Sequence, residues 1–312
     1  MEMMKAIRIS AYGGAGNLHY DEVSRPIPQP GQVLVRVRAV GVNPIDWKIR
    51  EGLFEQFLDY TLPVIVGTDV SGVVAAIGEG VTTLQLGEEV YGSVDMQLSG
   101  AYAEYAVGYA EAIAPKPKTL DFIHAAAVPG AAMTAWQALF DRANLQPGQT
   151  ILIHGAAGGV GSYATQFASW KGALIIATAS AANTDYVQSL GVGRVIDYAA
   201  QPFEQQVSDV DVVLDLVGGE TQARSWQTLR SGGVLVSTLG VPESGIPEGI
   251  NAVSIVVDLK VSSQLKQIAE LIDNGQVKVN VEQTFPLAEA AKAQEVSQYG
   301  HPRGKLVLQV VD

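Results

Sequence analysis

The sequence predicts an α/β protein: a β-rich half punctuated by Gly and Pro gives way to strands alternating with helices, the pattern of a doubly wound parallel sheet. Three observations carry this. A short apolar strand at 150–154 runs into the turn His154-Gly-Ala-Ala-Gly-Gly-Val-Gly161 and then an amphipathic helix. The apolar runs 210–216 and 233–239 are followed by Val217-Gly218-Gly219 and by Gly240, as parallel strands are where they open onto a crevice. A last apolar strand, 304–310, follows two helical stretches and can return to the β-rich half.

In chain order, strand-like runs fall at 5–10, 32–42, 68–77, 89–91 and 101–107. Helices are expected over 122–140, 161–171, 184–190 and 221–229, with parallel strands between them at 150–154, 174–178, 210–216 and 233–239. A helix at 262–273 and a shorter one at 287–298 precede the closing strand. The expected domains are 121–259 for the parallel-sheet part and 1–120 with 260–312 for the rest. No internal repeat or low-complexity segment interrupts this order.

The turn is a dinucleotide cradle by its spacing, Ala156-x-Gly158-x-x-Gly161, one residue from GxGxxG. Small residues suit a tight turn at Ala156, close approach of a pyrophosphate at Gly158, and close helix packing at Gly161. The cofactor-binding set therefore includes Ala156, Ala157, Gly158, Gly159 and Val160, where a helix N-terminus offers N–H groups and a positive dipole end. An acid at the end of the second strand would hold an NAD ribose, but the chain runs Ala179-Ser180-Ala181-Ala182-Asn183 and has no acid before Asp185. Ser180 and Asn183 can donate to a 2′-phosphate, which favours NADPH, although no Arg or Lys occurs between Lys171 and Arg194. Val217, Leu239 and Gly240, at the ends of later strands, should line the same crevice.

Composition narrows the classes. A chain of 312 residues, 47% hydrophobic, can bury a large core, and a net charge of −12 argues against nucleic acid or an anionic membrane as partner. No apolar run reaches membrane-span length and the first ten residues lack a signal-peptide core, so a cytoplasmic protein is expected. Cysteine is absent, and His19, His124, His154 and His301 are scattered, so no metal site is expected.

The motifs GVNPIDWKIREG (41–52), PVIVGTDVSGVV (63–74), AAAVPGAAMTAWQAL (125–139), HGAAGGVG (154–161), VIDY (195–198) and HPRGKLVL (301–308) resemble the medium-chain dehydrogenase/reductase superfamily. Within it they are most similar to the zinc-free quinone oxidoreductase (zeta-crystallin-like) and enone or alkenal reductase branch. The resemblance covers essentially the whole chain and implies a GroES-like β-rich catalytic domain plus a Rossmann domain. Where zinc-dependent relatives carry their metal ligands, this chain has Asn43, Thr68 and the cysteine-free stretch 128–133. Without a Lewis acid, hydride delivery to an electrophilic quinone or enone is easier than alcohol oxidation.

The same resemblance implies roles. Asn43 would lie near the nicotinamide ribose, or be a turn residue before Pro44; Asp46 would act beside it, or cap the short helix that follows. Lys48 would stabilise an enolate or quinolate oxygen, or be a solvated helix lysine; many quinone oxidoreductases have tyrosines at Lys48 and Phe54. Thr134 would approach the carboxamide, and Tyr198 the adenosine 2′-phosphate unless it merely packs. Lys305 would reach the cofactor or open an edge strand, and Trp47, Phe54, Phe57 and Tyr60 would wall a pocket or pack a loop.

The expected function is NADPH-dependent, zinc-independent hydride transfer to quinones or α,β-unsaturated carbonyl compounds in a dry cleft. The rivals are an enoyl-thioester reductase, which the low basic content of 20 Lys and Arg disfavours, and a crystallin-like protein that binds NADPH without turnover. Relatives associate through the nucleotide-binding domain, so a homodimer is expected, with the apolar run 251–257 as its edge.

Overall fold

A computed structural model describes residues 2–57 and 60–310, and every count below is of these described residues. The chain divides into two compact units, Met1–Gly130 with Asp258–Asp312, and Ala131–Val257.

The first unit opens with β1 (Met3–Ile9), β2 (Leu18–Ser24) and β3 (Gln32–Val42), then α1 (Pro44–Arg50), β4 (Val64–Ile65), β5 (Asp69–Ile77), β6 (Glu89–Ser93), β7 (Tyr105–Tyr109), β8 (Ile113–Pro115) and α2 (Phe122–Ala126). β1 pairs antiparallel with β2 and β4. β3 is largely buried along its eleven residues because it has neighbours on both sides, β5 on one and β7 on the other. Its valines, with Val70 and Val74 of β5 and Val90 of β6, form the core with Ile49, Phe285 and Leu308. Core packing of this kind is what turns a Val-rich run into a central strand.

After α3 (Pro129–Trp136) the second unit alternates β9 (Thr150–Ile153), α4 (Gly159–Lys171), β10 (Leu174–Ala179), α5 (Thr184–Ser189), β11 (Arg194–Asp197), β12 (Val210–Asp215), α6 (Gly219–Ser225), β13 (Leu229–Ser237) and β14 (Asn251–Ser254). Its strands lie in the order β11-β10-β9-β12-β13-β14, all parallel. The order reverses between β9 and β12, the switch point where such sheets bind dinucleotides. This is the α/β class the sequence predicts.

The chain then returns to the first unit through α7 (Ser262–Asp273), β15 (Val281–Pro286), α8 (Ala290–Tyr299) and β16 (Lys305–Gln309). β16 pairs antiparallel with β3, Leu306 opposite Val42. α7 buries Leu265, Ile268, Leu271 and Ile272, one face of a 3.6-residue period.

Several expected elements change. The single helix expected over 122–140 is α2, α3 and a π-helical stretch Gln137–Arg142. Pro129 has no N–H and clashes with the preceding turn, so it can only begin a helix. The helix expected over 221–229 stops as α6 at Ser225, and Leu229 already belongs to β13, which itself ends at Ser237 rather than 239. The strand expected at 101–107 forms at Tyr105–Tyr109, and the apolar run 251–257 is a strand only over Asn251–Ser254. β2 and β15 are absent from the sequence reading because both are mostly exposed and carry polar side chains on both faces.

One buried cation fixes α1. The Arg50 side chain is fully buried, and its guanidinium donates to Gly13 O at 3.1 Å, Gln294 Oε1 at 3.2 Å and Gln298 Oε1 at 2.7 Å, besides pairing with Glu51. It thus ties α1 to α8 and to the loop after β1. Arg50→Ala strands these acceptors and should destabilise the protein by about 3 kcal/mol, read as a lower urea midpoint; an unchanged midpoint would show that the clamp carries no stability.

Candidate active site

In the second unit the cradle is built at the end of β9. Gly155 takes φ of +71°, so the left-handed residue of the turn is Gly155 and not Ala156, which is buried and unstrained. Gly158 N–H donates to Gly155 O at 3.1 Å and Gly158 precedes the first turn of α4 with no side-chain cap. The first N–H groups of this 13-residue helix are therefore left for a ligand. A Cβ on Gly161 would lie 2.2 Å from Gly155 O and 2.7 Å from Ala156 Cα, so only glycine lets α4 close on the turn. A Cβ on Gly158 meets nothing nearer than Gly155 O at 3.5 Å, so the protein itself leaves space there. These residues fit a pyrophosphate.

The neighbouring strand ends supply the other predicted residues. Ser180 opens a 3-10 turn, Ala181–Asn183, directly after β10, with Asn183 N–H donating to Ser180 O at 2.9 Å. Tyr198 follows β11, is exposed, and donates its N–H to Ala179 O at 3.3 Å, which sets it beside the end of β10. Val217 and Leu239 are half-exposed apolar residues after β12 and β13, and Gly240 follows with φ of +89°. Thr134 is partly buried on α3. Ala157, Gly159 and Val160 lie in the turn and the first residues of α4.

Beneath the cradle, His154 is fully buried. Its Nε2 lies 2.9 Å from Ser225 Oγ, and that hydroxyl spends its hydrogen on Thr221 O, so Nε2 carries the ring proton. Nδ1 then accepts from Thr178 Oγ1 at 3.0 Å, and the Phe203 ring stands edge-on.

The first unit gathers a second group of predicted residues. Asn43 and Asp46 form a capping box on α1: Asn43 N–H donates to Asp46 Oδ2 at 2.9 Å. Tyr102 OH donates to the same oxygen at 2.9 Å, while Asp46 Oδ1 is buried without a partner. The Asn43 amide bridges two charges, donating through Nδ2 to Asp69 Oδ2 at 2.9 Å and accepting at Oδ1 from Lys305 Nζ. Lys305, buried, also donates to Val42 O at 2.7 Å. Asp69 Oδ2 accepts from Gly130 N–H at 3.0 Å, and Oδ1 faces Ser93 Oγ at 3.3 Å and Thr68 Oγ1 at 3.4 Å.

Burial dominates the electrostatics here. It pushes the Asp46 carboxyl up to about 7, against the hydrogen bonds from Asn43 and Tyr102. It raises Asp69 and lowers Lys305, each opposed by the other's charge. Lys48, half-buried with its Nζ 5.6 Å from the Trp47 ring centroid, is also lowered by burial. Phe54 and Tyr60 pack on the core of this unit, Trp47 is partly buried, and Phe57 is exposed.

Asp69, Tyr102 and Asp215 are missing from the sequence reading. An acid directly after an apolar strand, as in Val-Val-Leu-Asp215, was the available signal. Among the described residues no group of three or more His, Cys, Asp or Glu is placed to hold a metal ion, and no helix is long and apolar enough to cross a membrane.

Comparison with known proteins adds the family. A model described as alcohol dehydrogenase GroES-like domain matches residues 29–118, and one described as zinc-binding dehydrogenase matches 190–308. Quinone oxidoreductase from Mus musculus is 32% identical, covering 98% of this chain and 98% of its own. The mitochondrial NAD(P)H oxidoreductase RTN4IP1 of Mus musculus is 32% identical, covering 91% and 83%. The quinone oxidoreductase structure from Coxiella burnetii superposes with a TM-score of 0.91 at 32% identity, covering 99% and 100%. The chain belongs to the medium-chain dehydrogenase/reductase superfamily, in the branch of the quinone oxidoreductases.

The buried imidazole yields a pH prediction. Burial pushes His154 down to about 4, whereas an unfolded histidine titrates near its ordinary 6.5. The unfolded chain therefore binds the proton first, so stability from this group is full above the ordinary value and is lost as pH falls towards 4. The loss should total about 3 kcal/mol. Urea midpoints between pH 7 and 4 should drop more steeply for the wild type than for His154→Gln; parallel slopes would refute a neutral buried imidazole.

Proposed function

We propose that this member of the medium-chain dehydrogenase/reductase superfamily is a zinc-independent, NADPH-dependent oxidoreductase that transfers a hydride to quinones or α,β-unsaturated carbonyl compounds. The observation that carries it is the closure of α4 on the β9 turn at Gly161, which leaves the backbone N–H groups of Gly159 and Val160 for a ligand in a chain of this family. A nicotinamide dinucleotide bound there supplies the hydride. The preference for NADPH is supported by Ser180 and Asn183 after β10, a segment with no acid of its own before Asp185, and by the exposed ring of Tyr198, whose N–H bonds Ala179 O.

The chain's own residues then bind and orient. Val217, Leu239 and Gly240 offer apolar surface and backbone to the ring half, and Thr134 a hydroxyl to its carboxamide. Asn43, held by Asp69 and Lys305, is the residue we assign to the ribose, and Lys48 the one that would stabilise the oxygen that gains charge as the substrate is reduced. Burial already disfavours the charged ammonium of Lys48, so a developing anion beside it is matched by a cation short of counter-charge. Independence of zinc is supported by Asn43, whose amide is committed to Asp69 and Lys305, and by Thr68, which faces Asp69.

A second copy of the chain is the proposed partner, added along β14, which pairs only with β13 and is followed by the exposed Val256. The acidic chain, net −12, is proposed to work in the cytoplasm without nucleic acid or membrane.

Absorbance of the reduced nicotinamide should fall when NADPH is mixed with enzyme and benzoquinone, phenanthrenequinone, a short alkenal or a cyclic enone, with or without EDTA, and more slowly with NADH. Cofactor binding without turnover on any of these would reject the enzymatic reading. Lys48→Ala should lower kcat roughly 10²-fold while leaving the Kd for NADPH nearly unchanged; unaltered kcat would remove Lys48 from the chemistry.

A further inference from the structure

Asp215 ends β12 and is fully buried; the ionisable group its field reaches is His154, whose imidazole burial keeps uncharged. Four neutral donors satisfy it. Oδ1 accepts from Val217 N–H at 3.1 Å and Gly218 N–H at 2.8 Å. Oδ2 accepts from Ser237 Oγ–H at 2.9 Å and Gln222 Nε2 at 2.8 Å. Through these donors one carboxylate shapes two strand exits. Ser237 Oγ in turn accepts Leu239 N–H at 3.1 Å, and Gln222 Nε2 also donates to Gly240 O at 2.8 Å.

The strand order says which half of a dinucleotide meets these exits. The pyrophosphate belongs at the start of α4, after β9, and the adenosine ribose belongs at the end of β10. The other half must then lie across the switch point, over the ends of β12 and β13. There Val217 and Leu239, 50% and 47% exposed, flank the turn that Asp215 holds.

The reduced nicotinamide ring is neutral, and the oxidised ring carries a positive charge. A buried carboxylate compensated only by neutral dipoles interacts differently with the two. We infer that Asp215 is a positioning residue whose uncompensated charge makes this site hold the oxidised form of its nicotinamide cofactor more tightly than the reduced form, and so favours hydride departure. The inference rests on the proposed function and extends it to the redox state of the ligand.

Calorimetric titration of the full chain with NADPH and with NADP⁺, each alone and at one pH, tests it without any turnover. The wild type should bind NADP⁺ more tightly. Asp215→Asn should shrink that preference roughly tenfold, mainly through weaker NADP⁺ binding. Gln222→Ala, which frees the Gly240 tether and keeps the charge, should weaken both forms alike and leave the preference intact. Tighter binding of NADPH than NADP⁺ by the wild type overturns the inference, and this holds whether or not Asp215→Asn folds. So does an equal loss of both forms in a folded Asp215→Asn, which reduces the residue to a turn-former. Failure of the wild type to bind either form would instead reject the cofactor reading on which the inference stands.

Discussion

A carboxylate taken out of water keeps its place only by collecting donors, and the polar architecture of each unit is organised around one that does. In the first unit Asp69 gathers the Asn43 amide, the Gly130 N–H and two hydroxyls. That set joins the start of β5 to the residue before α1, to the end of β6 and to the beginning of α3. In the second unit Asp215 gathers two backbone N–H groups, an amide and a hydroxyl, and with them the exits of β12 and β13. Loss of one donor would leave the others with a charge that the interior screens poorly, so the attached turns are set together rather than one by one.

The two carboxylates differ in how their charge is answered. Asp69 has an ammonium one amide away, because Asn43 accepts from Lys305 with one end and donates to Asp69 with the other. The bridge fixes the flip of the amide and transmits charge across a distance that no direct ion pair spans. Asp215 has neutral partners alone, because the one imidazole its field reaches, His154, is kept uncharged by burial. The same residue type therefore gives a nearly balanced network in one unit and a net field in the other, and only a field can distinguish two ligands that differ by one charge.

Much of this was legible in the sequence. The Rossmann half declares itself because its central strands are buried on both faces and read as unbroken apolar runs, and because Gly161 must be glycine where α4 crosses the turn. The edge strands β2 and β15 were not legible, since strands that bury little have little need of an apolar period. The stretch 122–140 misled because its composition is helical throughout, while one Pro129 resets the backbone register. For the site, Asn43, Asp46 and Lys48 came from a motif, but nothing in one dimension says that Lys305 and Asp69 meet the same amide. That pairing depends on β16 returning to lie beside β3, a contact across more than two hundred residues of chain.

The remaining question in the first unit is where a proton sits among Asp46, Asp69 and Lys305. Two carboxyls and one ammonium leave one negative charge in excess, and low dielectric penalises the excess. A proton on Asp69 would have to turn an acceptor of four bonds into a donor. Asp46 accepts both of its bonds on Oδ2, and its Oδ1 has no partner to displace. Asp46 is therefore the carboxyl that takes up a proton at the smaller cost in broken hydrogen bonds, in keeping with a value pushed up to about 7. Because the folded value is raised, the stability this group contributes is full at acid pH and is lost as pH rises through about 7. Yet Oδ2 accepts from Asn43 N–H and Tyr102 OH in either state, since a carbonyl oxygen serves as well as a carboxylate oxygen. The start of α1, and with it the bearing of Lys48, is thus insulated from the titration of its own cap.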